Sequence, residues 1–110
     1  MFKKRLLWLS RHEPDSLQKK ELQRILGNYE LIMHPDPVET GAQVVNQMKI
    51  VGADDVFVVL PNHLLEDLIK LGIKPIKAHM SRLTDSNGSI SFVHEYFYRV
   101  HYMKIVKEVL

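Results

Sequence analysis

Apolar residues in this chain fall into short unbroken runs, and these alternate with stretches whose apolar positions recur at helical spacing. Arg5 to Ser10 contains Leu6-Leu7-Trp8-Leu9, the continuous run expected of a strand covered on both faces. Pro14-Asp15-Ser16 then predicts a helix start, with Asp15 as the cap and Gln18 completing a capping box. Leu17, Leu22, Ile25 and Leu26 form its expected inward stripe, and Gly27-Asn28 ends it. Tyr29 to Met33 reads as a short second strand, cut off by His34-Pro35-Asp36-Pro37 because proline cannot continue a ladder. A second helix is expected from about Glu39 to Val51, with Ala42, Val44, Val45 and Met48 inward and Gly52 as its stop. Asp55 to Leu60 repeats the buried-strand pattern. Pro61-Asn62 opens a third helix, with Asn62 as its cap, Leu64, Leu65, Leu68 and Ile69 as its core stripe, and Leu71-Gly72 as its end.

Strand and helix alternating in this way predict an α/β fold with parallel strands joined by helical crossovers. Pro75 to Leu83 reads as a fourth strand, and Asp85-Ser86-Asn87-Gly88 contains Asn-Gly, the strongest short hairpin signature. Ser89 to Val109 is rich in Val, Tyr, Phe and Ile and fits one or two antiparallel strands, with a helix over Tyr96 to Val109 as the alternative. A mainly parallel sheet with a C-terminal β-hairpin is therefore expected. With 110 residues and no internal repeat or linker, residues 1–110 read as a single domain.

Composition narrows the function classes. The chain has no cysteine, which removes disulfides, thiolate nucleophiles and cysteine-ligated metal sites. No apolar run approaches the roughly 20 residues of a membrane span, so no membrane partner is expected. The basic-then-apolar start is interrupted by Ser10-Arg11-His12 after four apolar residues, which predicts a first strand rather than a secretory leader, and a cytoplasmic location. A net charge of +2, spread among acidic residues without a basic stripe, does not suit duplex nucleic acid but leaves room for a small anion in a local pocket.

Candidate chemistry gathers where strands end. Ser10-Arg11-His12, His34-Pro35-Asp36 and Pro61-Asn62-His63 each put a histidine directly after an apolar run, and parallel strands open such loops on one edge of the sheet. That carboxyl edge is where open α/β sheets bind ligands. Histidine serves there as acid, base or metal ligand. Arg11 presents a planar cationic fork suited to phosphate, Ser10 a hydroxyl, and the helix starting near Asp15 backbone donors for an anion. The plainer alternative is that Arg11 pairs with Glu13 or Asp36 and orders the loop, and that Asp36 caps the turn into the second helix. Farther along, Lys77, His79 and Ser81 share one face by period-two alternation, with Arg82 just beyond; they suit phosphate, or simple solubility at a sheet edge. The aromatics Phe92, Tyr96, Phe97, Tyr98 and Tyr102 fit a base-stacking or dimer surface, or sheet packing. Neither a dinucleotide fingerprint nor a Walker sequence occurs.

The first strand ending in Ser10-Arg11-His12, the later His34-Pro35-Asp36, and the third strand ending in Leu60-Pro61 before a helix from Leu64-Leu65 to Gly72 resemble the small CRISPR-associated ring nucleases of type III systems. The resemblance spans most of residues 5–80; the segment Glu39 to Gly52 and the tail after Arg82 match no pattern of the family. It implies a Rossmann-like three-layer fold and a homodimer that binds cyclic oligoadenylate, with the tetra-adenylate as the expected ring. It further implies linearisation without metal or other cofactor, the ribose 2′-hydroxyl attacking the adjacent phosphate, so that type III CRISPR signalling is switched off. Arg11 would then stabilise the phosphorane and His12 exchange a proton, with Ser10, Asn62 and backbone amides orienting the ligand. His34, Asp36, Asn62, His63, Lys77, His79 and Arg82 would contribute to ligand binding. Three other readings remain open: a module of the same fold that sequesters the nucleotide uncut, a metal-dependent phosphodiesterase using His12, His34, His63 and Asp36, and a structural partner-binding domain.

Overall fold

The unbroken run Leu6-Leu7-Trp8-Leu9 lies at the centre of a sheet because both of its faces are needed: Leu6 and Trp8 enter one core, Leu7 and Leu9 the other. The computed structural model describes residues 3–103. Its elements are β1 (Lys4–Leu9), α1 (Ser16–Leu26), β2 (Tyr29–Met33), α2 (Gly41–Val51), β3 (Asp55–Val58), α3 (Asn62–Lys70), β4 (Ile76–Thr84) and β5 (Ile90–Arg99). They form a five-stranded sheet in the order β2-β1-β3-β4-β5. The first four strands are parallel and β5 runs antiparallel to β4. Leu22 and Leu26 of α1 cover one face with Phe57, Ile76 and Phe97; Val44 of α2 and Leu65 and Leu68 of α3 cover the other with Val56 and Val58. This is the three-layer, Rossmann-like arrangement. Among the described residues no helix is long and apolar enough to cross a membrane.

Several local expectations are corrected. In α1 the inward stripe is Gln18, Leu22 and Leu26, while Leu17 and Ile25 are exposed. The capping box itself forms as expected: Gln18 N–H donates to Asp15 Oδ1 (2.8 Å) and Asp15 N–H to Gln18 Oε1 (3.1 Å). In α2 the cap is Thr40, and Gly41 rather than Ala42 is buried, because it packs against α3 where a Cβ would lie 2.9 Å from Asp67 Cβ. Strand β3 ends at Val58, leaving Val59 65% exposed at the edge. Asn62 does not cap α3; it is the first helical residue, the cap position belongs to Pro61, and no side chain caps the helix.

The C-terminal hairpin forms as expected, its turn held by Asp85 Oδ1, which accepts from Asn87 N–H (2.8 Å) and Ser89 N–H (2.9 Å). Tyr96 to Arg99 are strand, not helix, and residues 104–109 of that alternative lie outside the described residues. The register shifts between His79 and Met80, so that Glu95 has no partner residue on β4. Phe97 is buried at the Trp8–Phe57 stack, whereas Phe92, Tyr96, Tyr98 and Tyr102 are exposed. Arg99 ties β5 to the start of β3 by a two-pronged pair with Asp55 (3.0 and 2.7 Å) and a bond to the Lys74 carbonyl (2.7 Å). The Asp55 hydrogen bond, outweighing burial, holds its guanidinium above the ordinary value.

Candidate functional site

Chain direction and strand order together create a crevice between β1 and β3. After β1 the chain leaves to α1 on one face, and after β3 to α3 on the other, so the two neighbouring strand ends are not bridged. Such a switch point is the ligand crevice of open α/β sheets. A cleft of about 650 Å³ lies there, and it brings together Ser10, Arg11, His12, His34, Asp36 and His63.

The turn after β1 is held from beneath. Trp8, 2% exposed and stacked on Phe57 with ring centroids 3.8 Å apart, donates its indole N–H to the His12 carbonyl at 2.7 Å. Ser10 Oγ accepts from His12 N–H at 3.2 Å. Next to it, His34 N–H donates to the Trp8 carbonyl at 2.9 Å, fastening the loop after β2 to the end of β1. These bonds use backbone groups and the Ser10 hydroxyl, and the Arg11 and His12 side chains stand exposed.

Among the described residues Arg11 forms no ion pair, so neither Glu13 nor Asp36 engages it. Nor does Asp36 cap the turn into the second helix: its carboxylate accepts no hydrogen bond among the described residues, and the helix itself is capped by Thr40, whose hydroxyl accepts from Gln43 N–H at 3.2 Å. The expected anion-binding start of α1 is also corrected: Asp15 places a carboxylate there and occupies Gln18 N–H. It is α3 that turns an uncapped N-terminus toward the cleft, with His63 in its first turn.

A second hollow of about 430 Å³ lies between the β1 and β3 ends and β4, on the α1 side, and shares Ser10, His12 and Val59 with the first. It exists because β3 and β4 share one registered pair, Phe57 with Ile76. Lys77 lines this second hollow. His79 and Arg82 line neither: His79 Nε2 is 3.5 Å from Glu95 Oε2 with its ring stacked on Tyr96, and Arg82 sits exposed on the hairpin. Ser81 is hydrogen-bonded to Glu95. Asn62 adjoins the main cleft at the start of α3 without lining it. Among the described residues no three His, Asp or Glu side chains are grouped as a metal ion would require, so His12, His34, His63 and Asp36 share a cleft without converging as a ligand set.

Trp8, Gln18, Glu21 and His94 were not foreseeable as a supporting frame. His94 lies buried under α1, its Nε2 2.8 Å from Glu21 Oε2 and its Nδ1 3.4 Å from Gln18 Nε2. Glu21 also accepts from Phe97 N–H at 2.8 Å. The one sequence cue was polar residues at 18 and 21 on a helix that had to face a sheet.

Compared with known proteins, the chain matches no family model, no curated protein and no solved structure.

Proposed function

We propose that the chain is a ring nuclease that binds cyclic oligoadenylate, with the tetra-adenylate as its ring, and linearises it without a metal. The observation that carries this reading is the Ser10-Arg11-His12 turn: a cation and an imidazole, both unengaged, held by Trp8 at the switch point of the sheet. In the proposed reaction the 2′-hydroxyl oxygen bonds to the adjacent phosphorus and the bond to the 5′-oxygen breaks. The products are a 2′,3′-cyclic phosphate and a 5′-hydroxyl. One proton passes from the 2′-oxygen to the 5′-oxygen, and His12 is the group placed to exchange it. Arg11 offsets the charge that builds on the phosphorane, and orientation of an internal nucleophile supplies much of the acceleration. Such a cleavage would end a type III CRISPR alarm in the cytoplasm.

A ring of four nucleotides exceeds a cleft of this size, so the proposal includes a homodimer with the ring across its two-fold axis. Ile90 and Phe92, exposed on one face of the hairpin, support self-association, since adjoining apolar surface of this kind marks contact sites.

Labelled cyclic tetra-adenylate, incubated with the protein with and without a chelator, tests the reading. Chelator-resistant linear product ending in a cyclic phosphate is expected. His12→Ala should lower turnover by about 100-fold or more with affinity little changed, whereas Arg11→Ala should lower both. Intact bound ring would identify a sequestering module, loss of activity with chelator a metal enzyme, and absence of both binding and cleavage would overturn the proposal.

A further inference from the structure

We infer that the second hollow, lined by Glu13, Lys77, Ala78 and Met80 and joined to the main cleft through Ser10, His12 and Val59, is the seat of a nucleobase carrying an exocyclic amine. The inference rests on the proposed reading of the Ser10–His12 turn as a phosphate-ester site. Its volume of about 430 Å³ falls within the range of small-ligand pockets.

Its walls are mixed in the way a heterocycle needs. Val59 is 65% and Met80 36% exposed, and both are apolar side chains that a flat ring would cover. A methionine thioether packs well against an aromatic ring. Of the polar groups on the rim, Asp15 and Gln18 are committed to each other through the capping box, and Gln18 Nε2 also faces His94. Glu13 and Lys77 have no side-chain hydrogen bond or ion pair among the described residues, and they line the same hollow without pairing with each other. Glu13 is an acceptor for an amine. Trp8 and Phe57 form part of the floor but are already stacked on each other, so the base lies over their edges and does not intercalate.

Continuity of the two hollows places the rest of a nucleotide. A base in the second hollow and a phosphate at Arg11 put the ribose between them, beside Ser10 and His12, which with Val59 are common to both.

Amide chemical shifts of the labelled full chain, titrated with 5′-AMP, 5′-IMP and ribose 5-phosphate, test this. Ribose 5-phosphate should move only the amides of Ser10 to His12 and their neighbours in the main cleft; 5′-AMP should move these together with Lys77 to Met80. The adenine should tighten binding about tenfold over ribose 5-phosphate, and 5′-IMP, which lacks the amine, should lose about threefold or more of that gain. Met80→Ala and Glu13→Gln, both outside the packed core, should each weaken 5′-AMP about threefold or more and leave ribose 5-phosphate unchanged.

If 5′-AMP moves only the Ser10–His12 amides and binds no more tightly than ribose 5-phosphate, the base hollow is refuted while the phosphate site stands. Equal binding of 5′-AMP and 5′-IMP would overturn the amine assignment. If 5′-AMP moves the Lys77 to Met80 amides but ribose 5-phosphate leaves Ser10 to His12 untouched, the phosphate reading fails and the hollow remains. No shift with any of the three probes would overturn both.

Discussion

Replacing Glu21 by glutamine removes one acceptor from a chain of hydrogen bonds that runs in a single direction. Asp15 N–H donates to Gln18 Oε1 (3.1 Å), which leaves Gln18 Nε2 as the donor facing His94 Nδ1 (3.4 Å). His94 therefore carries its proton on Nε2 and donates to Glu21 Oε2 (2.8 Å), while Phe97 N–H donates to Glu21 Oε1 (2.8 Å). The chain ends on the carboxylate, which accepts from both His94 Nε2–H and Phe97 N–H. A glutamine amide has one oxygen, so turning it toward Phe97 opposes its NH2 to His94 Nε2–H, and turning it toward His94 opposes the NH2 to Phe97 N–H. Moving the histidine proton to Nδ1 transfers the conflict to Gln18, whose amide cannot turn without opposing Asp15 N–H.

At least one buried donor is thus left unsatisfied, at about 1–3 kcal/mol, and the surviving bonds lose their ionic character. We expect Glu21→Gln to destabilise by about 2–3 kcal/mol, with little contribution from helix propensity, since Glu and Gln are nearly equal. In urea unfolding this lowers the midpoint by about 1–2 M. The loss should also depend on pH. Burial raises the Glu21 carboxyl, but the Phe97 N–H, the His94 hydrogen bond and the Arg24 charge together hold it below its ordinary value of 4.5. A carboxyl depressed in the folded state contributes stability above its unfolded value, and that contribution disappears as pH falls through the folded value. The difference between wild type and Glu21→Gln should therefore be full above about pH 5 and shrink on acidification. A variant within about 0.5 kcal/mol of wild type at neutral pH, or a difference that does not change with pH, would refute the directional chain.

Gly41→Ala should destabilise although alanine is the better helix former by about 1 kcal/mol, because the new methyl meets Asp67 Cβ at 2.9 Å and backbone atoms of Asp67 and Leu68 at 3.2 Å. Pushing α2 from α3 costs about 1–3 kcal/mol, read as a lower thermal midpoint; an unchanged or higher midpoint would show that the helices separate freely. Trp8→Phe keeps an aromatic ring against Phe57 but deletes the N–H bond to the His12 carbonyl. It should cost about 1–2 kcal/mol of stability and lower single-turnover cleavage more than ring affinity, and unchanged cleavage would show that the turn holds its shape without the indole.

Much of the framework was legible because its cues are local. Strand β2 lies at Tyr29–Met33 as read, and the runs in β1 and β3 are continuous because each supplies both cores. Gly52, with φ 65°, closes α2 in the left-handed conformation its position suggested. What failed depended on distant partners. The inward place of Gln18 has its reason in His94, 76 residues away, and neither window shows the other. Burial of Gly41 follows from contact with Asp67 on another helix. The end of β3 at Val58 reflects the divergence of β4, which no feature of Val56 to Leu60 encodes.

Legibility of the candidate site divides in the same way. Strand-then-histidine order located the edge, because parallel strands deliver their loops to one side whatever the loops contain. Period-two alternation then grouped Lys77, His79 and Ser81, and this was misleading: sharing a face of a strand is not sharing a cavity. The bulge residue Glu95 engages both His79 and Ser81, leaving Lys77 alone at a hollow. Partnering, rather than position, separates the histidines. His79 and His94 each face a glutamate, which orients the imidazole and occupies one of its nitrogens. The ring nitrogens of His12, His34 and His63 have no hydrogen-bond partner among the described residues, yet all three line one cleft with an equally unengaged Arg11. An imidazole whose nitrogens are not committed to the fold can pass a proton without breaking a bond that holds the protein together. Among these, His12 alone also borders the second hollow and has its backbone fixed from the core by Trp8, which is why the chemistry is assigned to it.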